Sequence, residues 1–175
     1  MLNVKEKLLI GTLNELYYTD YYTWAMTNAE LLKKGKFDEI DYINLAEEVK
    51  DLGNSEYYRL VSFFANLLSH LYKWDNQPEL RSKSWENTIK NSIRGITSAL
   101  EKNPGLKYQS TFNNAYISAW KDARYIISDD MDVNIKFISK HCPYTFKEVI
   151  NKVCEIAPDR IDEDDIAFLK NLPLL

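Results

Sequence analysis

Apolar residues recur along almost the whole chain at three- and four-residue steps, the spacing of one helix face rather than of a strand. This pattern predicts an all-α fold, a compact bundle of about six to eight helices. A first helix is expected from about Lys5 to Leu16. A second runs from Asp20, a side chain suited to N-capping, to Lys34, with Gly35 as its stop. After the KKGKF turn, Asp38 or Asp41 can cap a third helix. Its apolar face is Ile43, Leu45, Ala46, Val49 and Leu52, and Gly53 supplies its end. Ser55 then opens a long helix on which Leu60, Phe63, Phe64, Leu67, Leu68, Leu71 and Trp74 share one face.

Pro78 lacks an amide hydrogen and disfavours helical geometry at Gln77, so the chain must turn within DNQPEL. Ser82 or Ser84 can cap the next helix, which carries Trp85, Ile89, Ile93, Ile96 and Leu100 on one side and stops at NPG. The two long central helices are thus expected to lie antiparallel across a proline corner. Leu106 to about Ser128 forms another long helix, with Phe112, Ala115, Ala119, Ala123 and Ile126 in register. DVNIKFISKHC reads as a short helix or an extended segment. Thr145 and Glu148 match a capping box for TFKEVINKVC, and a short helix ends the chain.

Length sharpens this to one domain over 1–175 with a single core, since 175 residues can bury most of their surface without dividing. The 45% apolar and 27% charged content is ordinary for a folded chain, and five Gly and five Pro are few. A net charge of −4 gives no global attraction to phosphate backbones or anionic lipid, so nucleic-acid binding would need a local basic patch and is disfavoured. The N-terminal apolar run LLIGTL is too short for a signal or a membrane span. With Cys142 and Cys154 lacking any CxxC spacing and too few for a secreted disulfide framework, a cytoplasmic protein is expected.

The segment HLYKWDNQPELRSKSW, residues 70–85, concentrates the chemistry: His70, Lys73, Trp74, Gln77, Arg81, Ser84 and Trp85 lie around Pro78. The pattern HLxKWxxQPExRSxSWxxTI resembles the signature of the domain-of-unknown-function 29 family, found widely in cyanobacteria and other bacteria. So do Trp24, the LLKKGKF turn, Leu45-Ala46-Glu47-Glu48 and Leu52-Gly53 upstream. Ala123-Arg124 and the Cys142-Pro143-Tyr144-Thr145 run follow more loosely. The similarity covers roughly residues 17–150 and leaves 159–175 as an acidic extension. It implies an α-helical domain and brings no activity, substrate or catalytic residue with it.

At the corner, His70 and Lys73 stand near the negative end of one helix, while Arg81 and Lys83 precede the positive end of the next. Between residues 70 and 94, Lys73, Arg81, Lys83, Lys90 and Arg94 oppose Asp75, Glu79 and Glu86, so an anionic ligand is one candidate occupant. The simpler reading is structural. The tryptophans pack the turn, Gln77 and the serines satisfy its backbone, and the basic groups pair with Glu47, Glu48 or Asp51. Acid-base chemistry would require Glu47 or Glu48 to face His70 across a loop at Gly53.

No zinc spacing joins His70, His141, Cys142 and Cys154, no Glu-x-x-His pair marks a di-iron bundle, and no glycine loop cradles phosphate, so neither metal nor cofactor is expected. Two functions remain in contention. One is a non-enzymatic module binding a protein partner or a second copy through its aromatic and basic groups. The other is a hydrolase or nuclease-like enzyme on an anionic substrate, using Glu47, Glu48, His70, Arg81 and Arg94.

Overall fold

The computed structural model describes residues 13–158 and 161–172, and every regular element among them is helical. The described part of α1 covers 13–19. It is followed by α2 (Tyr21–Lys33), α3 (Tyr42–Asn76), α4 (Lys83–Lys102), α5 (Gln109–Met131), α6 (Phe146–Ile156) and α7 (Glu163–Lys170). Short 3-10 turns at Phe37–Glu39, Pro78–Leu80, Pro104–Lys107 and Ile135–Phe137 join several of them. The expected start of the first helix near Lys5 lies outside the described residues; its described end is Thr19, past the expected Leu16.

Most terminators act as the sequence implies. Asp20 accepts a hydrogen bond from the Thr23 amide at 3.1 Å and caps α2. The chain leaves that helix through Gly35, whose φ of 68° suits a residue without a β-carbon. Ser82, not Ser84, caps α4 by accepting from the Trp85 amide. The capping box at Thr145 and Glu148 is present in both directions.

One terminator fails. α3 runs without interruption through Gly53 and Ser55, merging the two helices expected on either side of that glycine into one of 35 residues. Glycine stops a helix when it takes the left-handed conformation. Among the described glycines only Gly35 does so, and Gly53 stays helical at a cost of about 1 kcal/mol relative to alanine. Among the described residues, no atom outside its own stretch of helix lies within 4 Å of where a Gly53 β-carbon would sit. Gly53→Ala is therefore expected to raise stability by about 1 kcal/mol, measurable by thermal denaturation.

Backbone contacts divide the chain into two compact units, Met1–Asn54 and Ser55–Leu175, and where length leads to the expectation of a single core, the buried apolar side chains among the described residues form two clusters. In the first unit Leu13, Trp24 and Leu31 are buried, with Leu16, Tyr17, Ala25, Ile40 and Leu45 packed on them. Asp41, rather than Asp38, begins α3. Its carboxylate is buried and accepts from the Trp24 indole at 3.1 Å, the Asn44 side chain at 2.6 Å and the Asn44 amide at 3.4 Å. Asn28 closes the network, accepting from the Asp41 amide and donating to the Trp24 carbonyl, both at 2.9 Å. The expected apolar face of this stretch is only partly used. Leu45 packs inward, but Ile43 is 60% exposed, Val49 61% and Leu52 70%.

In the second unit, α3 and α4 lie antiparallel. Glu56 receives a hydrogen bond from Asn103, Phe63 meets Gly95, His70 meets Trp85, and Trp74 meets Arg81, so contacts advance on one helix as they retreat on the other. A β-carbon on Gly95 would collide with the Phe63 ring. Gly95→Ala should thus destabilise by about 1–3 kcal/mol despite the better helix propensity of alanine, the reverse of Gly53→Ala in the same assay.

α5 completes the core by placing Phe112 and Tyr116 edge-on to Phe64 and Phe146. Its buried side is Phe112, Ala115, Ala119, Ala123 and Ile127, whereas Ile126 is only half-buried. The segment left ambiguous in sequence is a 3-10 turn followed by irregular chain. Trp120 ties it down through the Ser139 carbonyl, and Arg124 through the carbonyls of Ile135 and Ile138. In α7, Asp162 caps the helix and Leu169 joins the core, so most of the acidic DRIDEDD run is a helix start.

Candidate functional site

The corner is built by three local constraints. α3 ends at Asn76, Gln77 adopts a non-helical φ of −135° before Pro78, and one 3-10 turn delivers the chain to the Ser82 cap. Within that turn Arg81 lies over the Trp74 ring, 5.0 Å from its centroid, and its Nε donates to the Trp74 carbonyl at 2.9 Å. The guanidinium thereby satisfies one of the carbonyls left open at the end of α3, while the indole shields its face.

Lys73 points into the unit. Its side chain is 5% exposed, pairs with Asp130 on α5, and sits 5.2 Å from the Trp85 ring centroid. Asp130 carries no recognisable sequence motif, but a hint exists. It stands in the last turn of α5, where a carboxylate is disfavoured by the helix dipole and no basic residue of that turn offsets it. Such a position calls for a cation from elsewhere, and Lys73 supplies it. The anticipated pairing of the corner cations with Glu47, Glu48 or Asp51 is replaced by these contacts.

His70 is held between Asn66 and Trp85. Its Nδ1 lies 2.9 Å from the Asn66 carbonyl, which can only accept, so Nδ1 bears the proton and the neutral ring keeps its lone pair on Nε2. Burial, with the Lys73 charge as the next contribution, holds the imidazole below its ordinary value of 6.5. A depressed histidine favours the folded state while neutral, so its contribution is complete above about pH 6.5 and is lost as pH falls toward the folded value. Wild type should lose stability relative to His70→Gln between pH 7 and 5; parallel denaturation curves at both pH values would refute this.

The remaining expected site residues do not gather around it. Ser84 is exposed at the start of α4. Arg94 is exposed, and nine helical residues past Trp85 amount to two and a half turns, which puts it on the opposite side of α4. Glu47 pairs with Lys50 at 3.0 Å. Glu48 accepts from the Tyr17 hydroxyl at 2.8 Å and the Tyr21 hydroxyl at 2.7 Å, bonds that hold its carboxyl below the usual range and push Tyr17 up to about 12. The loop at Gly53, across which either carboxylate was to face His70, is helix.

A groove of about 340 Å³ lies beside the corner, lined by Trp74, Asp75, Arg81, Lys152, Glu155 and Ile156. Asp75 is clamped there by Lys152 at 2.9 Å and by the Tyr144 hydroxyl at 2.7 Å. Two cations face two carboxylates, so the groove offers no excess positive charge to an anion. The pairing of Tyr144 and Lys152 with Asp75 escaped sequence reasoning because they lie some 70 residues from it along the chain. Among the described residues no group of three or more His, Cys, Asp or Glu is placed to hold a metal ion, and no helix is long and apolar enough to cross a membrane.

The residues that build both units also carry a family pattern. No curated protein and no solved structure matches the chain. The model of a family described as a domain of unknown function, DUF29, matches residues 16–154, taking in α2, the Asp41 network, the proline corner, Arg124 and the Thr145 capping box. That span is most of the sequence, and the chain belongs to the DUF29 family.

Proposed function

We propose that this protein is a non-enzymatic protein-interaction module of the cytoplasm, with its docking surface on the first three turns of α3. One observation carries the reading: Tyr42, Ala46 and Val49 follow one another at helical spacing on the side of α3 turned to solvent, Tyr42 at 65% and Val49 at 61% exposure, with Ile43 beside them at 60%. Large apolar side chains grouped on one helix face mark interaction surfaces more often than isolated ones do. The chemistry of the corner supports the same choice. Lys73, Arg81 and the ring of His70 are engaged in holding α3, α4 and α5 together, and Glu47 and Glu48 in bonds to Lys50 and to two tyrosines. Cys142 and Cys154 are free thiols, as a reducing compartment would keep them.

Site-specific photo-crosslinking in the native host tests the surface. A benzophenone side chain at position 49 should yield discrete higher-mass adducts that the same group at exposed Lys121 does not. Identical adduct patterns from both positions would remove the proposal.

A further inference from the structure

The face described above has an acidic setting and a gap in it, and together they specify what binds. We infer that its partner is an amphipathic helix of another protein bearing Lys or Arg beside its apolar face, an inference that rests on the interaction reading.

Charge decides between a foreign helix and a second copy. Residues 1–54 hold six lysines against ten carboxylates, while residues 55–175 hold 16 basic and 16 acidic residues, so the whole net charge of −4 belongs to the first unit. The lysines of α2, the following turn and the first three turns of α3 lie within 4 Å of glutamates of their own segments: Lys33 and Lys34 beside Glu30, Lys36 beside Glu39, Lys50 beside Glu47. Their charge is offset locally, and the unit's field is that of the excess carboxylates. Two such faces repel one another, whereas a basic helix is attracted.

Gly53 supplies the independent observation. It continues the line Tyr42, Ala46, Val49, Gly53 at steps of four, three and four residues, the two small residues alternating with the two large ones. A mid-helix glycine costs about 1 kcal/mol, and among the described residues nothing beyond its own stretch of helix occupies the space its β-carbon would take. The fold therefore gives no reason for the missing side chain. A partner helix crossing at Ala46 and Gly53 does, because small residues admit a neighbouring backbone closely while Tyr42 and Val49 grip it on either side.

The test uses the full chain and two labelled peptides of about 18 residues, each a helix with leucine on one face and either lysine or glutamate on the other, read by fluorescence anisotropy at about 50 mM salt. The lysine peptide should bind at least tenfold more tightly than the glutamate peptide and weaken as salt rises. Gly53→Leu should reduce its affinity at least tenfold without lowering the melting temperature, and Val49→Ser should reduce it severalfold.

Equal binding of both peptides, or unchanged binding by Gly53→Leu, overturns the basic-helix partner. Light scattering separates this from the broader reading. A dimer that Val49→Ser dissociates would keep the docking surface and replace the foreign helix by a second copy. A monomer that binds neither peptide and gives no position-49 adducts would end both.

Discussion

Asp41→Ala is expected to destabilise the first unit by about 3–4 kcal/mol. The substitution removes the cap of α3, worth about 1 kcal/mol, and strips acceptors from the buried Trp24 indole and the Asn44 amide, each of which costs about 1–3 kcal/mol when left unpaired. Trp24 is 1% exposed and Asn44 8%, so water cannot readily replace the carboxylate. Native-state hydrogen exchange of the α2 amides would report the loss in the first unit alone. Asp41→Asn should cost less, since its one carbonyl oxygen can still accept where Oδ2 does, and equal losses for the two variants would sink the account.

The second large effect belongs to Lys73 and Asp130. Asp130→Ala should cost the second unit about 3 kcal/mol by leaving an ammonium buried without a carboxylate. That figure sits at the lower end for buried pairs because the Asp130 side chain is 44% exposed. Lys73→Met should cost less, about 1 kcal/mol, for it deletes the charge while keeping the stem against Trp85. Adding Asp130→Ala to Lys73→Met should then change little. Urea denaturation followed by tryptophan emission gives all three values, and an Asp130→Ala loss no greater than that of Lys73→Met would contradict the pairing.

These two sites show what kind of information a sequence holds. Asp41 was readable as one of two candidate caps, because a cap is set by its own few residues and the helix that follows. That it also anchors Trp24, 17 positions away, was not. Lys73 was readable as a cation in a dense segment, but its partner was not, since Asp130 lies 57 residues on and carries no motif of its own. The reading of Gly53 as a stop failed for a related reason. A glycine permits the left-handed conformation without requiring it, and longer-range contacts decide whether the chain uses that freedom.

The sequence alone determined the helical class, most helix ends, the antiparallel pair about Pro78 and the family, because these follow from periodicity, capping chemistry and a recognisable run of residues. Only the tertiary structure decided that Gly53 lies inside a helix, that two clusters replace one core, that the corner cations are engaged in holding their own unit, and that an apolar face of α3 is turned to solvent. Each of these depends on which distant segment comes to lie against a given face. That outcome is fixed by packing and burial summed over a whole unit, which no local pattern encodes.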